Sequence, residues 1–332
     1  MQRALRSLTV SRPDEVEDSR RGFLADLLAG LTRRPRRISS RWFYDAQGSH
    51  LFQWISELPE YYLTRTERQI LERQGGRIVE AIARCPCTVV DLGAGDGHKT
   101  RILLEALVRR TRDVTYAPID VSSVALQEAA RGVRVALPDV RVRPFQGTYG
   151  QALKVSGDDA GVKLVLFLGS SIGNLEPRDA LRFLRDLRDS LRPGDHLLIG
   201  FDLVKARSLL RRAYADARGI TRAFNLNLLA RANRELGADF DLSSFRHRAT
   251  WDERRPAMES WLESTRRQTV HVGGRQFHLA DGERIHTEIS CKFTVPGIRA
   301  LGHRAGFQEV GTFRDPRSWF ADVLWRVPGV LP

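Results

Sequence analysis

Residues Val89 to Gly97 read Val-Val-Asp-Leu-Gly-Ala-Gly-Asp-Gly, an apolar run that ends on an acid and breaks into alternating glycines. Lys99 to Leu107 then carries a helical pattern. A strand, a glycine turn and a helix in that order are how an α/β sheet offers backbone to a nucleotide-like ligand. Glycine admits close approach, and the helix N-terminus adds partial positive charge.

The chain around this junction agrees. Apolar strand patterns fall at Thr88 to Leu92, Val114 to Ile119, Val140 to Phe145, Leu164 to Leu168 and His196 to Phe201. Helical patterns separate several of them. Leu181, Leu184, Leu187 and Leu191 make one stripe, opened by Pro177 and closed by Pro193-Gly194. Strands alternating with helices predict an α/β fold with a doubly wound, mostly parallel sheet. Residues from about 206 to 285 lose that rhythm and read as long charged helical stretches. Strand patterns return at Glu288 to Thr294, Gln308 to Phe313 and Trp319 to Val327, with a helix near Pro296 to Ala305. The sheet domain is therefore expected to be interrupted by an insertion.

Composition narrows the classes. No apolar run approaches a membrane span, and Met1 to Glu17 lacks the apolar stretch of a secretory leader. Cys85, Cys87 and Cys291 do not form a disulfide framework and are expected as reduced thiols of a cytoplasmic protein. The eight histidines show no metal-ligand spacing, so no metal is expected. The net charge of +13 comes from arginines that alternate with acids, and the one dense run, Arg33 to Arg37, has no aromatic between its charges. A solvated basic surface is expected, with no nucleic-acid partner.

The glycine turn has no glycine in the third place of GxGxxG, so it suits S-adenosylmethionine better than a dinucleotide. Asp120, at the end of the next strand, can accept two hydrogen bonds from ribose hydroxyls. The plainer reading is a strand-end acid capping the helix that follows Ser122 and Ser123. Paired with the glycine turn one strand earlier, the ligand reading prevails. A nicotinamide-linked oxidoreductase would want the same two features and a hydride-transfer constellation besides, and no such constellation stands out.

Four further segments carry a resemblance. They are Arg41-Trp42-Phe43-Tyr44-Asp45, Leu58-Pro59-Glu60-Tyr61-Tyr62, Phe167-Leu168-Gly169-Ser170-Ser171-Ile172-Gly173-Asn174 and Thr287-Glu288-Ile289-Ser290-Cys291-Lys292-Phe293. With the glycine turn they make the chain, from about residue 20 onward, similar to the histidine-specific Nα-methyltransferases of ergothioneine biosynthesis. That resemblance implies a Rossmann-like methyltransferase domain over 66–204 and 293–332, and a substrate-binding domain over 18–65 and 205–292. It implies S-adenosylmethionine as co-substrate, held by Gly93, Lys99, Asp120, Thr148 and Tyr149. Asn174 and Tyr214 would hold the substrate carboxylate, and Gly169 and Ser171 would meet its α-amino group. Tyr61, Ser260, Glu288 and Ser290 would surround the imidazole, and Tyr44 would steer the amine in catalysis.

The chemistry supports these roles. Asn174 can donate its amide and Tyr214 its phenol to a carboxylate. Glu288 and Ser290 lie two apart in a strand pattern, so they share a face. A carboxylate and a hydroxyl there suit the two ring nitrogens of histidine. Three positions depart from the family pattern, and one of them is His98, which replaces an acid common in the glycine turn. Thr148 stands where an acid is common, and Ser260 stands where well-known members carry methionine, which leaves a larger or wetter pocket. Tyr62, Phe43 and Phe224 read as packing residues, and Asn174 could also cap the helix at Pro177.

The expected reaction is successive methyl transfer to the α-amino nitrogen of L-histidine, ending at the trimethylated betaine. The alternatives are another aromatic or modified amino acid as acceptor, or a non-catalytic binding protein on the same scaffold.

Overall fold

The computed structural model describes residues 13–82, 86–149 and 161–329. Cys85 and Met1 to Arg12, on which the expectations about thiols and a leader partly rested, lie outside the described residues. The chain divides into two compact units. The larger holds Ala46–Thr221, Ala249–Glu259 and the chain from Ile289 onward. The smaller holds the described residues up to Asp45, Arg222–Arg248 and Ser260–Glu288. The stretches 46–65, 205–221, 249–259 and 289–292, expected with the substrate domain, thus fall in the larger unit.

Elements are numbered along the chain. The larger unit has helices α2 (Ala46–Glu57), α3 (Tyr62–Glu80), α4 (His98–Val108), α5 (Ser123–Ala136), α6 (Pro177–Asp189), α7 (Arg207–Tyr214) and α9 (Val295–Arg304). Its strands are β2 (Cys87–Leu92), β3 (Val114–Asp120), β4 (Arg141–Val142), β5 (Phe145–Gln146), β6 (Val162–Phe167), β7 (His196–Asp202), β13 (Gln308–Arg314) and β14 (Phe320–Arg326). They form one sheet in the order β13-β14-β7-β6-β2-β3-β4, with β5 also paired to β3. The pairings among β2 to β7 are parallel, while β14 runs antiparallel to both β7 and β13.

The sequence explains this sheet. Every residue of β2 and of β7 is buried, which a strand reaches only when both faces of the sheet are covered. On α6, Leu184 and Leu187 bury fully and Leu181 partly, and Leu191 just past its end partly, against Val165, Phe167, Leu197 and Ile199. Each fully buried leucine contributes about 1.5–3 kcal/mol. The strand expected over Val140 to Phe145 is instead two short strands. Pro144, between them, has no N–H to give a ladder.

The smaller unit opens with α1 (Pro13–Thr32) and β1 (Arg36–Arg37) and contains most of α8 (Ile220–Leu236). The helical reading of residues 206 to 285 holds only as far as Leu236. Beyond it come strands β8 (Phe245–Asp252), β9 (Ala257–Ser264), β10 (Gln268–Val272), β11 (Arg275–Leu279) and β12 (Arg284–Cys291). One sheet has the order β1-β12-β9-β8, and β10 and β11 form a hairpin. In β9 the residues Met258, Ser260, Leu262 and Ser264 are buried in strict alternation. Two of these four are serines, so a count of apolar residues misses the period of two.

Candidate active site

The glycine turn follows β2. The Gly93 and Ala94 N–H groups donate to the Ile119 carbonyl at 2.8 and 3.1 Å, which ties the turn to the end of β3. Gly95 has φ +55°, a left-handed conformation disfavoured for other residues, and a Cβ built on it would meet nothing within 4 Å. Its backbone is therefore open to a ligand. The Gly95 N–H donates to Asp120 Oδ2 at 3.1 Å, and Ser122 N–H donates to Oδ1 at 2.9 Å. Ser122, whose hydroxyl accepts from Ala125 N–H, caps α5, so Asp120 does not. Burial pushes the Asp120 carboxyl up, opposed by these backbone donors.

Three more residues frame the turn. Asp91 is fully buried, and its Oδ2 accepts from the Thr100 hydroxyl at 2.6 Å and the Tyr116 hydroxyl at 3.0 Å. Burial outweighs those donors and raises its pKa to about 6. Tyr149 is half-buried against Phe167 and Phe183, with its hydroxyl 2.9 Å from where a Cβ on Gly93 would stand. Thr148 beside it is exposed.

Lys99, in the first turn of α4, is ion-paired with the buried carboxylate of Glu67 on α3. Burial alone would lower the lysine, but the Glu67 charge and hydrogen bond, with the charges of Asp322 and Asp91, together more than offset it and the pKa rises. The same Glu67 accepts the Gly169 N–H, at 2.7 Å to Oε1 and 3.0 Å to Oε2.

Gly169 opens the loop after β6. Ser170 is left-handed at φ +58° and buried, and its hydroxyl accepts from Asp202 N–H at 2.9 Å. Ser171 donates to the Leu168 carbonyl at 2.9 Å and begins a 3₁₀ turn that ends at Asn174. The N-cap of α6 is Glu176, so Asn174, half-buried, does not cap that helix.

Tyr214 and Ser290 meet directly, with hydroxyl oxygens 2.6 Å apart. Lys292, fully buried, donates at 2.8 Å to each of them and to Asp202 Oδ2, so all three ammonium protons are used. Asp202 also receives the Tyr62 hydroxyl at 2.8 Å and an ion pair from Lys205. Burial lowers Lys205 to about 8; Asp202 opposes this, while Lys292 adds to it. Tyr62, expected as simple packing, is a member of this buried polar network. Tyr61 is buried edge-on to Phe52.

The remaining named residues belong to the smaller unit. Buried Ser260 donates from its hydroxyl to Glu288 Oε2 at 3.3 Å. The Ser260 carbonyl in turn accepts from Thr287, whose hydroxyl also reaches Asn225 Oδ1 at 2.7 Å. Tyr44 is half-buried and edge-on to Phe224, which stacks on Phe43 at 4.4 Å. Among the described residues, no group of three or more histidine, cysteine or acidic side chains is set to hold a metal.

Comparison with known proteins gives this geometry its context. Residues 23–327 match the family described as histidine-specific methyltransferase, SAM-dependent. The chain belongs to that family. It is 42% identical to the histidine N-alpha-methyltransferase of Mycolicibacterium smegmatis, over 89% of this chain and 92% of the relative. It is 39% identical to the protein of the same name from Mycobacterium tuberculosis, over 89% and 92%. A more distant relative is the 4-dimethylallyltryptophan N-methyltransferase of Claviceps purpurea, 29% identical over 62% of this chain and 61% of that one.

As a methyltransferase the larger unit fits S-adenosylmethionine. It has an open backbone at Gly95, a carboxylate at Asp120 pinned by the turn itself, and a lysine held at the start of α4. Sequence reasoning missed Glu67 and Asp322, and read Asp202, Lys205 and Lys292 only as parts of motifs. A signal for the two missed residues was there. Glu67 sits four residues after Leu63 and four before Leu71 on the buried stripe of α3, where an apolar residue belongs. Asp322 interrupts the otherwise buried apolar strand Phe320 to Trp325. No helix among the described residues is long and apolar enough to cross a membrane.

Proposed function

We infer that this methyltransferase moves methyl groups from S-adenosylmethionine to the α-amino nitrogen of L-histidine, repeating the transfer to the trimethylated betaine. The observation that carries the reading is the 42% identity to a histidine N-alpha-methyltransferase along 89% of the chain. The same reading puts the enzyme in the cytoplasm and gives nucleic acid no part.

Within it each residue has a task. The turn from Gly93 to Gly97 and Lys99 receive the methionine portion of the co-substrate. Asp120 receives the ribose hydroxyls, and Thr148 and Tyr149 the adenine end. Asn174 and Tyr214 hold the histidine carboxylate, Gly169 and Ser171 face its amine, and Tyr61, Ser260, Glu288 and Ser290 meet the imidazole. Tyr44 steers the amine.

S-adenosylmethionine supplies a methyl group on a sulfonium, which keeps the bonding electron pair on sulfur when the amine takes the methyl. The chain therefore mainly orients the two reactants and accepts the amine in its neutral form. A protein α-amino group has a pKa of about 8, so at neutral pH one proton must be lost before attack. After the third transfer the nitrogen has neither proton nor lone pair, and the reaction stops.

Lys292 adds a constraint. Because it donates to both hydroxyl oxygens, the protons of Tyr214 and Ser290 serve their mutual hydrogen bond and one acceptor beyond it. A carboxylate or an unprotonated imidazole nitrogen is such an acceptor.

A second acceptor is favoured by one observation. Ser260 is small and polar and spends its hydroxyl on Glu288, which suits a larger aromatic or modified amino acid. Mass spectrometry after incubation with S-adenosylmethionine and single free amino acids separates the two. Stepwise methyl gains on histidine are expected. Gains on tryptophan or tyrosine alone select the second reading, and no product with any amino acid refutes both.

A further inference from the structure

Glu67 and Asp322 are two carboxyl groups with no exposed surface. They meet on the sheet because of a register pair. Asp322 on β14 stands opposite Gly200 on β7, where side chains would share one face. Gly200 has no side chain, and Glu67 takes that place. A Cβ on residue 200 would stand 2.2 Å from Glu67 Oε1. The Glu67 carboxylate thus lies against strand backbone on the face that Asp322 shares, and burial, with the neighbouring Glu67 charge, holds the Asp322 carboxyl well above its ordinary range.

The two acids are not equivalent. Glu67 has the Lys99 ion pair and the Gly169 N–H, both of which favour the charged form. Among the described residues, neither Asp322 oxygen receives a hydrogen bond from any N–H or hydroxyl. One ammonium cannot compensate two buried carboxylates, so one proton is retained. It belongs on Asp322, from where it is donated to Glu67.

We propose that Glu67 is a positioning residue of the methyl-transfer site: one carboxylate, completed by a proton on Asp322, holds the Lys99 ammonium and the Gly169 amide in fixed relation. This rests on the reading above, in which Lys99 faces the co-substrate and Gly169 the acceptor amine. The carboxylate then sets the spacing between the two ends that must be in line for transfer. Gly200 is the backbone condition for it.

Glu67→Gln keeps the size and the acceptor for Gly169, and its amide can donate to Asp322, which then carries the charge. The cluster keeps its net charge, but Lys99 loses its direct partner. Affinity for S-adenosylhomocysteine, measured by calorimetry, should fall about 10- to 100-fold, the range of a lost charge-assisted hydrogen bond. Combined with Lys99→Met, the two losses should be less than additive, because Glu67 acts through Lys99. Asp322→Asn, which keeps a donor aimed at Glu67, should cost less than Glu67→Gln. Infrared spectra of the wild-type protein at pH 8 should show the carbonyl band of an un-ionised carboxyl, and Asp322→Asn should abolish it.

Equal or larger losses in Asp322→Asn, strict additivity with Lys99→Met, or no such band would overturn the proposal. If Glu67→Gln does not fold, the wild-type band and its loss in Asp322→Asn still decide. A wild-type protein that binds S-adenosylhomocysteine but leaves histidine unmethylated refutes the acceptor assignment and not this one.

Discussion

Asp91 is the next-to-last residue of the strand before the glycine turn, and its carboxyl should cost the fold stability at neutral pH. The group is fully buried and its pKa is raised from 3.8 to about 6. Between those two values the folded chain binds more protons at this site than the unfolded chain. Stability therefore falls as pH rises through that window, and the full cost is present above pH 6. Two pKa units correspond to about 3 kcal/mol. Asp91→Asn removes the titration and keeps the hydrogen bonds, since Thr100 and Tyr116 both donate to one oxygen, which the amide oxygen can replace. Its new N–H groups need acceptors, and an unmet one costs about 1–3 kcal/mol. The expected net gain at pH 8 is about 0–2 kcal/mol, read from urea unfolding of the two proteins. The gain should shrink steadily as pH falls from 6 toward 4. A difference that stays constant over that range, or a variant less stable at pH 8, would refute the reasoning.

Lys205 gives a pH effect of the opposite sign. Its pKa falls from 10.5 to about 8, so the unfolded chain binds the extra proton between those values and stability rises with pH there, by up to about 3 kcal/mol. Lys205→Met should flatten that rise in urea unfolding measured from pH 7.5 to 10. Lys292→Met removes the donor shared by Tyr214, Ser290 and Asp202, and should lower stability by about 3 kcal/mol or more. It should also raise the KM for histidine at least about tenfold, the loss of one charge-assisted hydrogen bond. Glu288→Ala should weaken histidine binding and spare S-adenosylhomocysteine, and Asp120→Ala should do the reverse. Calorimetric titration of both ligands checks this, and equal losses on both would discard the division of roles.

The parts of the molecule legible in the sequence are those where one residue type has one local use. Gly93 to Gly97 marked a turn, Pro177 opened α6, and apolar runs between helical stretches marked a sheet covered on both faces. What escaped was written in polar residues at buried positions. Ser260 and Ser264 hide the strand period of β9, and Pro144 splits a strand that hydropathy joins. Glu67 and Asp322 interrupt apolar patterns in α3 and β14, but only the register of β7 against β14 shows them sharing one spot. Asn174, Tyr214 and Ser290 were named through resemblance to a family. That Lys292 links two of them is a property of the packed chain, 78 residues apart in sequence for Tyr214.

Gly200 has a meaning for how this sequence can diverge. Its missing side chain and the Glu67 carboxylate occupy one space, so neither position can drift alone. A relative that keeps Glu67 must keep glycine at 200, and one that shortens Glu67 gains freedom there together with a changed partner for Asp322. Positions 67, 200 and 322 should therefore vary as a set, and that joint variation can sort descendants of this fold where no single motif does.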